Sequence, residues 1–288
     1  MNTLTFDIED WWVYDHYHIG NKRDWLPRLD NYLNHILELL DERNFKATFF
    51  ILGSMAKDYP NVVKNIYNRE HHIGCHSFSH TFWKEHHSHR EVSEDTRIAL
   101  DVIENIIGQK VNAYRAPAFS ITEKTSWILS ILVEHGIEYD CSIFPANRSF
   151  GGFSGYKATE PAIINIDGIH IKEFPISPTT IFGKKIVYSG GGYFRLFPYS
   201  FIKSIISKND YVMTYFHIKD FDKEQKRIYK SLAGSPAPVR YFSKYYGLKN
   251  NYAKFMKLIS DFDFISVEQA ANSIDWENIP VVKLININ

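Results

Sequence analysis

Short apolar segments that alternate with amphipathic helical segments are the feature of this sequence that most restricts its fold. Residues 47–52 form an apolar run of strand length, and residues 32–40 before it repeat apolar side chains at helical spacing. Helical segments separate this run from the other predicted strands, which cover residues 3–8, 72–75, 111–114, 137–141 and 211–216. Strands that alternate with helices require crossover connections, and these produce a parallel sheet. The sequence therefore predicts an α/β fold, and about seven such units favour a closed or nearly closed barrel.

The second half of the chain departs from this alternation in one place. Residues 163–166 and 169–174, which are joined by Asp167 and Gly168, are typical of a β-hairpin. We interpret the region near residues 160–176 as a hairpin insertion, and the region near residues 220–288 as a C-terminal extension. Because 288 residues fit one large core and no convincing linker is present, we expect a single domain over residues 1–288.

The charge and cysteine content exclude several classes of protein. Lys+Arg and Asp+Glu both number 33, and no long run of one sign occurs, so a nucleic-acid partner is not expected. The 2 cysteines exclude a disulfide-dense secreted scaffold. No segment approaches the ~20 apolar residues of a membrane span, and the first residues lack the basic and apolar regions of a signal peptide. We therefore expect a soluble, cytoplasmic protein.

Polar side chains follow or end most of the predicted strands. They are Asp7, Glu9, His76, His80, Arg115, Asp140 and His217. Functional sites gather at the carboxyl ends of strands in barrels and in open α/β sheets alike. We therefore expect these side chains to share one cleft.

His76 and His80 are spaced to bind one metal ion. Neutral imidazoles and a carboxylate suit zinc or a similar divalent ion, although an isolated histidine pair is more often structural. Ser77 stands where the related zinc-protease motif has its glutamate base, so the base must come from elsewhere. Asp7 and Glu9 point to the same side of a strand, so that one can bind the ion while the other accepts a proton.

Aromatic residues make up 16% of the chain, and several of them directly follow the first strand. Trp12 belongs to this group, which would either stack on a sugar ring or form a hydrophobic lid over the site. The three glycines at positions 190–192 would let the backbone pass close to the site, and Tyr193 follows them. We expect Trp12 and Tyr193 to contact the substrate.

Five segments, in this order, resemble the motifs of the polysaccharide deacetylases, the NodB-homology group or carbohydrate esterase family 4. They are Thr-Phe-Asp-Ile-Glu-Asp at 5–10, His-Ser-Phe-Ser-His at 76–80, Arg-Ala-Pro-Ala-Phe at 115–119, Tyr-Asp-Cys-Ser at 139–142 and Tyr-Phe-His at 215–217. The resemblance extends from residue 3 to about residue 220. In addition, residues 190–198 and 251–271 resemble a bacterial branch associated with exopolysaccharide and O-antigen gene clusters.

The resemblance implies a distorted (β/α) barrel with about seven parallel strands that binds one divalent metal ion. Zinc is the expected ion, with cobalt or nickel as alternatives. His76 and His80 would be two of the ligands. The third ligand is left open, because strand alternation favours Glu9 whereas a bulge in the strand would present Asp10 instead.

The resemblance also implies the catalytic roles. Asp7 would be the general base, and Arg115 would hold it ionised and aimed. His217 would be the general acid, and Asp140 would orient its ring. The fourth motif is abbreviated in this chain, and Asp140 is the residue whose assignment rests on that motif.

The implied reaction removes an N-acetyl group from an N-acetylated sugar in a surface polysaccharide or in its lipid-linked or oligosaccharide precursor. Two alternatives remain open, namely hydrolysis of a small non-peptide amide and glycan binding without catalysis. The presence of base, acid, Arg115 and both histidines favours a hydrolase, since a binding protein does not need all five. The oligomeric state, the sugar and its linkage do not follow from the sequence.

Overall fold

A computed structural model describes residues 1–9, 26–146, 148, 151–224 and 245–284 of the chain. Short strands alternate with helices through most of these residues. The strands are β1 (Asn2–Thr3), β2 (Thr5–Ile8), β3 (Thr48–Ile51), β4 (His72–Cys75), β5 (Ala113–Tyr114), β6 (Tyr139–Asp140), β7 (Ala162–Ile166), β8 (Ile169–Glu173), β9 (Pro178–Ile181), β10 (Lys184–Val187), β11 (Val212–Met213), β12 (Phe216–His217) and β13 (Val281–Leu284).

The helices lie between the strands and cover them. They are Leu26–Glu42, Gly53–Asp58, Pro60–Asn68, His89–Ile107, Ile128–Glu134, Gly191–Leu196, Tyr199–Ile206, Leu248–Asp261 and Val267–Ser273, with 3-10 turns at Pro117–Phe119, Glu123–Thr125 and Ile218–Asp220. Among the described residues, no helix has both the length and the apolar composition needed to cross a bilayer.

The main sheet contains nine strands within the described residues, in the order β12-β2-β3-β4-β5-β6-β8-β7-β13. The run from β12 to β8 is parallel throughout, which gives seven parallel strands. The predicted α/β class with about seven parallel strands is therefore confirmed. All seven carboxyl ends lie at one edge of this sheet, which is where the polar residues of the sequence motifs occur.

The hairpin predicted at residues 163–174 is present as β7 and β8. Its second strand, however, pairs in parallel with β6, with Asp140 opposite Glu173. The hairpin therefore contributes the seventh parallel strand and does not stand outside the sheet. Periodicity could not reveal this, because β6 and β8 are not consecutive strands and β7 lies between them in the sequence.

The predicted strand at residues 211–216 is divided into two pieces that pair with different partners. β11 pairs with β1, whereas β12 pairs with β2. Between the pieces, the amide of Thr214 donates to the carbonyl oxygen of Thr3 over 3.0 Å, and the hydroxyl of Thr214 donates to the same oxygen over 3.0 Å. The division leaves His217 at the carboxyl end of β12, directly opposite Asp7 in the register.

The helix Leu248–Asp261, in the C-terminal part of the chain, packs into the core beneath the site. Its fully buried Phe255 lies 5.2 Å from the ring of Phe216 and 6.1 Å from that of Phe6, and Phe6 stacks on Phe49 at 4.9 Å. The described part of the C-terminal segment thus shares the core that supports β2, β3 and β12. Fully burying such a ring stabilises a fold by about 1.5–3 kcal/mol.

The helix His89–Ile107 shows how the sequence fixes one of the supporting helices. Ser88 accepts a hydrogen bond from the amide of Glu91, and Glu91 accepts one in return from the amide of Ser88, which forms a capping box. Gly108 ends the helix in the left-handed conformation at φ 72°. The helix begins and ends where the sequence places these signals, and its first turns face the loop after β4.

Candidate active site

The carboxyl ends of β2 and β4 bring a carboxylate and two imidazoles together. Glu9, His76 and His80 each offer one ligand atom, and these atoms all lie within 4.8 Å of one another. All three side chains are buried, with exposed fractions of 8%, 1% and 5%. Within the described part of the chain, this is the one cluster of such residues with the geometry to hold a metal ion.

The hydrogen bonds of His76 indicate that a cation belongs between these side chains. Nδ1 of His76 lies 2.7 Å from the carbonyl oxygen of Arg115, so a neutral ring carries its proton on Nδ1 and donates it there. The unprotonated Nε2 then faces a carboxylate oxygen of Glu9 at 3.0 Å. Two electron-pair donors at that distance repel each other unless a proton or a metal ion lies between them. The residues therefore fit a divalent metal ion, with a backbone carbonyl fixing the tautomer of one ligand.

His80 completes this group from a loop with an unusual backbone. Nε2 of His80 contacts the same Glu9 oxygen that faces His76. Burial lowers the pKa of His80 although the Glu9 charge opposes this effect, and the neutral form is the one that binds metals. Both Ser77 and His80 have positive φ angles, of 63° and 58°. Such a loop needs support from outside, since these conformations are unfavourable for residues with side chains.

Asp95 supplies that support from the helix His89–Ile107. Its carboxylate accepts hydrogen bonds from the amides of Phe78 at 2.8 Å and Ser79 at 3.0 Å, and from the Ser79 hydroxyl at 2.5 Å. Within the loop, the hydroxyl of Ser77 accepts a hydrogen bond from the amide of His80 at 3.0 Å. These bonds hold the two histidines of the segment on the same side.

Asp7 and Arg115 form a buried ion pair next to the metal-binding group. A guanidinium nitrogen of Arg115 donates to Asp7 at 2.8 Å and to the hydroxyl of Thr5 at 2.7 Å. The side chains of Arg115 and Asp7 are buried, and the Arg115 guanidinium lies 4.2 Å above the ring of Phe50. The ion pair fixes both the position and the orientation of the Asp7 carboxylate.

His217 lies between these carboxylates and a third one. Its Nε2 is 2.9 Å from Glu9 and 4.0 Å from Asp7, and its Nδ1 is 3.3 Å from Asp220. Burial and the charge of Lys219 act to lower the pKa of His217, but Glu9 and Asp220 outweigh them and raise it to about 9. A histidine in this setting holds a proton that it can donate.

The residue that orients His217 is Asp220, and the expectation that Asp140 would do so is wrong. Asp220 accepts hydrogen bonds from the backbone amide and from Nδ1 of His217, and it also forms a buried ion pair with Arg195. Burial acts to raise the pKa of Asp220, yet Arg195 and His217 lower it overall. The carboxylate next to the histidine ring is therefore ionised.

Asp140 faces a different set of partners, because β6 is buried between β5 and β8. Its carboxylate accepts hydrogen bonds from the hydroxyl of Ser142 at 2.5 Å and from the Ser142 amide at 3.2 Å. Glu173, its register partner on β8, hydrogen-bonds to it, and both side chains are fully buried. Burial and the neighbouring Asp140 charge raise the pKa of Glu173 well above its usual value. Glu173 also accepts a hydrogen bond from the amide of Ile143 at 3.2 Å, which fixes the segment that follows Asp140.

Two further residues of the site did not emerge from the sequence. Lys219 donates to the outer carboxylate oxygen of Glu9 at 3.1 Å, while the inner oxygen faces the histidines. Burial acts to raise the pKa of Glu9, but the charges of His80, Lys219 and His217 lower it well below its usual value. Lys219 and Asp220 follow His217 directly, so a search of the residues after the fifth motif for charged side chains would have found both.

The other predicted site residues have separate outcomes. Trp12 and Asp10 lie outside the described residues, whereas Glu9 is brought to the two histidines. Tyr193 is partly buried on the helix Gly191–Leu196, with its ring 6.3 Å from that of Phe144. Its contact with a substrate stays a prediction.

Two family models match adjacent parts of the chain. The model described as polysaccharide deacetylase matches residues 3–139, and a domain of unknown function, DUF3473, matches residues 141–272. The first match includes Asp7, Glu9, His76, His80 and Arg115, while Asp140 and His217 lie beyond it.

Curated relatives and solved structures agree with this assignment. A peptidoglycan-N-acetylglucosamine deacetylase from Bacillus cereus is 31% identical over 107 residues, which cover 37% of this chain and 39% of that protein. The chain thus spans about two fifths of the length of this relative. A protein of known structure from Mycobacterium smegmatis, provisionally assigned to the polysaccharide deacetylases, superposes with a TM-score of 0.64 at 16% identity, over 97% of this chain and 91% of that one.

The same fold also occurs in a protein without activity. A carbohydrate esterase family 4 pseudoenzyme from Bacillus anthracis superposes with a TM-score of 0.50 at 14% identity, over 99% of this chain and 69% of that one. At such identities the superpositions establish the distorted barrel fold of the family and nothing more. Together with the ordered motifs and the geometry of the site, the sequence match shows that residues 3–139 of this chain belong to the polysaccharide deacetylase family.

Proposed function

We propose that this protein is a metal-dependent hydrolase that removes the N-acetyl group from an N-acetylated sugar. The observation that carries the proposal is the convergence of two functional sets at one sheet edge. One set is the Glu9, His76 and His80 group, and the other is Asp7 with His217, whose nearest charged atoms are 4.0 Å apart. A site that only binds sugars does not need a fixed base and a proton-bearing histidine beside a metal-binding group.

Asp7 acts as the general base. Arg115 holds one oxygen of its carboxylate, and the other oxygen faces His217 at 4.0 Å. From this position Asp7 accepts the proton of the attacking water as the water adds to the acetyl carbon. General bases contribute about 10²–10⁴-fold to such rates.

His217 acts as the general acid. The amine that leaves an amide must be protonated as the carbon–nitrogen bond breaks, since otherwise the tetrahedral intermediate returns to the substrate. Asp220 accepts the Nδ1 proton of His217 in a hydrogen bond and so directs Nε2 towards the cleft. The proton that the amine receives is therefore the one on Nε2.

Glu9, His76 and His80 would hold the divalent ion, which is zinc in our proposal, with cobalt or nickel as substitutes. Bound there, such an ion lowers the pKa of water and polarises a carbonyl oxygen. Three protein ligands leave a coordination position open, as catalytic zinc sites require. Lys219 donates to the outer oxygen of Glu9, so the inner oxygen, which faces the two histidines, would be the one offered to the ion.

The substrate in our proposal is a surface polysaccharide or its lipid-linked or oligosaccharide precursor. The curated relative from Bacillus cereus is named as a deacetylase of peptidoglycan N-acetylglucosamine, which supports a bacterial glycan as the substrate class.

The experiment that tests this function measures acetate release from a panel of N-acetylated oligosaccharides and small amides. Protein stripped with a chelator and then supplied with zinc, cobalt or nickel is compared with stripped protein. We expect release from oligosaccharides only after metal is restored. Acetate release from small amides alone would show that the substrate is a small amide and not a glycan. Glycan binding without any acetate release would identify a glycan-binding protein without catalysis.

A further inference from the structure

Arg148 lies over two aromatic rings beside the catalytic groups. Its guanidinium carbon lies 4.5 Å from the ring centroid of Phe144 and 5.2 Å from that of Phe119. One of its nitrogens donates to the carbonyl oxygen of Ala118 at 3.0 Å. These contacts fix the orientation of the side chain. The side chain is partly exposed, so part of it remains accessible to a ligand.

The ring of Phe119 links Arg148 to the catalytic groups. The guanidinium carbon of Arg115 lies 5.5 Å from the centroid of this ring, so both arginines contact it. Tyr215 packs on Phe119 with a centroid distance of 5.1 Å, and Tyr215 stands two residues before His217 in the same extended segment. Burial raises the pKa of Tyr215, and the charge of Arg148 acts against this effect.

The ionic environment of Arg148 differs from that of its neighbours. Arg115 pairs with Asp7, and Arg195 pairs with Asp220. In the part of the chain that the structure describes, no carboxylate lies within ion-pair distance of Arg148. A guanidinium has five N–H donors, and the contact with Ala118 uses one of them. Arg148 is thus an oriented cation. Among the described residues, its remaining N–H donors do not form an ion pair with an acidic side chain.

We propose that Arg148, together with Phe119, Phe144 and Tyr193, forms a subsite that binds an anionic group on the sugar next to the one that is deacetylated. The proposal rests on the proposed function and names its substrate class, an acidic N-acetylated glycan. A planar guanidinium binds a carboxylate or a phosphate through paired hydrogen bonds. The rings of Phe119 and Phe144 beneath it are buried and hold the guanidinium in place, whereas the partly buried Tyr193, at 6.3 Å from Phe144, offers an aromatic ring to the sugar.

The experiment compares three N-acetylated oligosaccharides of equal length as substrates of the zinc-loaded enzyme. In one the neighbouring sugar is neutral, in the second it is a uronic acid, and in the third it carries a phosphate monoester. We expect kcat/KM to be roughly 10- to 100-fold higher for an acidic substrate than for the neutral one, the usual advantage of a charge-assisted hydrogen bond. A higher kcat/KM for the uronic acid substrate identifies a carboxylate as the ligand, and a higher kcat/KM for the phosphate monoester identifies a phosphate.

Variants assign the preference to Arg148. In Arg148→Gln the ratio of acidic to neutral kcat/KM should fall to near one, and in Arg148→Lys, which keeps the charge but not the planar fork, the ratio should be intermediate. The matched control is Arg43→Gln, because Arg43 is exposed and precedes the amino end of β3, on the opposite edge of the sheet. Thermal unfolding of each variant checks the fold, and Arg148→Lys keeps the test available if the glutamine variant does not fold.

The outcomes separate this inference from the proposed function. Equal kcat/KM for all three substrates in the wild type, or an unchanged ratio in Arg148→Gln, overturns the subsite and leaves the deacetylase activity standing. Calorimetry with Asp7→Asn, which should bind substrate without turnover, gives a readout that does not depend on catalysis. Tighter binding of the acidic oligosaccharide by Asp7→Asn, with no acetate released by the wild type, would support the subsite and reject the proposed reaction.

Discussion

Nδ1 of His217 lies 3.3 Å from a carboxylate oxygen of Asp220, three residues later in the same 3-10 turn. The same oxygen accepts a hydrogen bond from the backbone amide of His217 at 3.0 Å. Arg195 forms an ion pair with the other oxygen of Asp220. The general acid of the proposed reaction is therefore oriented from its own turn. This contact replaces the longer-range contact from β6 that the family motifs imply.

The substitution Asp220→Asn tests this relationship. Asparagine keeps an acceptor for the backbone amide but removes the charge that stabilises a protonated ring. We expect kcat to fall about 10–100-fold with KM little changed, as is usual when a group that orients a functional histidine is lost. Nitrogen-15 NMR of the imidazole should show a weakened preference for the proton on Nδ1.

The comparison variant for Asp220 is Asp140→Asn. Asp140 contacts Ser142 and Glu173 and has no contact with His217, so its loss should lower the melting temperature more than the preference for one tautomer. An altered His217 tautomer in Asp140→Asn, together with a normal one in Asp220→Asn, would restore the original assignment.

The substitution His76→Ala tests the metal-binding group. Because His76 supplies one of three ligands, we expect zinc affinity to fall by 10-fold or more, measured by calorimetry on stripped protein. The control is His86→Ala, since His86 is an exposed histidine in the same region of the chain. Equal zinc binding by both variants would place the metal elsewhere.

The substitution Glu173→Gln tests the buried carboxyl pair through the pH dependence of stability. Burial and Asp140 raise the pKa of Glu173 in the folded protein well above 4.5, so the folded state keeps a proton that the unfolded chain loses as the pH rises. The stability from this proton is present at low pH and is lost as the pH rises through the raised pKa. The slope approaches 1.4 kcal/mol per pH unit for one proton.

Glutamine at position 173 imitates the protonated carboxyl group at every pH. We expect the melting temperature of Glu173→Gln to decline less between pH 5 and pH 9 than that of the wild type. Glu160→Gln, at an exposed position, should keep the wild-type slope. Parallel curves for the wild type and Glu173→Gln would show that Glu173 is ionised in the folded protein.

The substitution Phe255→Ala tests whether the helix Leu248–Asp261 belongs to the core that carries the site. Phe255 is fully buried against Phe6 and Phe216, so its truncation should lower the free energy of unfolding by about 3–5 kcal/mol. Tyr246→Ala, at a half-exposed ring in the segment before this helix, should cost much less. A small loss in Phe255→Ala would mean that the helix is dispensable for the barrel.

Much of the site followed from residue types at strand ends. Parallel strands bring their carboxyl ends to one edge, so Asp7, His76 and Arg115 meet although they are far apart in the chain. The alternation of side chains along the first strand favoured Glu9 as the carboxylate that lies beside the two histidines, and Glu9 does lie there. The prediction of cytoplasmic localisation stays a prediction.

The contacts that the sequence did not reveal depend on pairing between distant segments or on local turns. Asp140 faces Glu173 because β6 and β8 lie in register, and no periodicity indicates that partner. The β9–β10 hairpin was missed, although Phe182 and Gly183 separate two strand-like runs and both have positive φ angles. Arg148 gave no signal, since its contacts with Phe119 and Phe144 arise only from the fold.

The most direct test of the account measures acetate release by Asp7→Asn and by the wild type after both have been loaded with equal, verified amounts of zinc. The substitution keeps the shape of the side chain and leaves Glu9, His76 and His80 in place, but it removes the group that accepts the proton of water. We expect equal zinc content and a rate for Asp7→Asn that is lower by about 10²–10⁴-fold on an N-acetylated oligosaccharide. A rate close to that of the wild type would contradict the account.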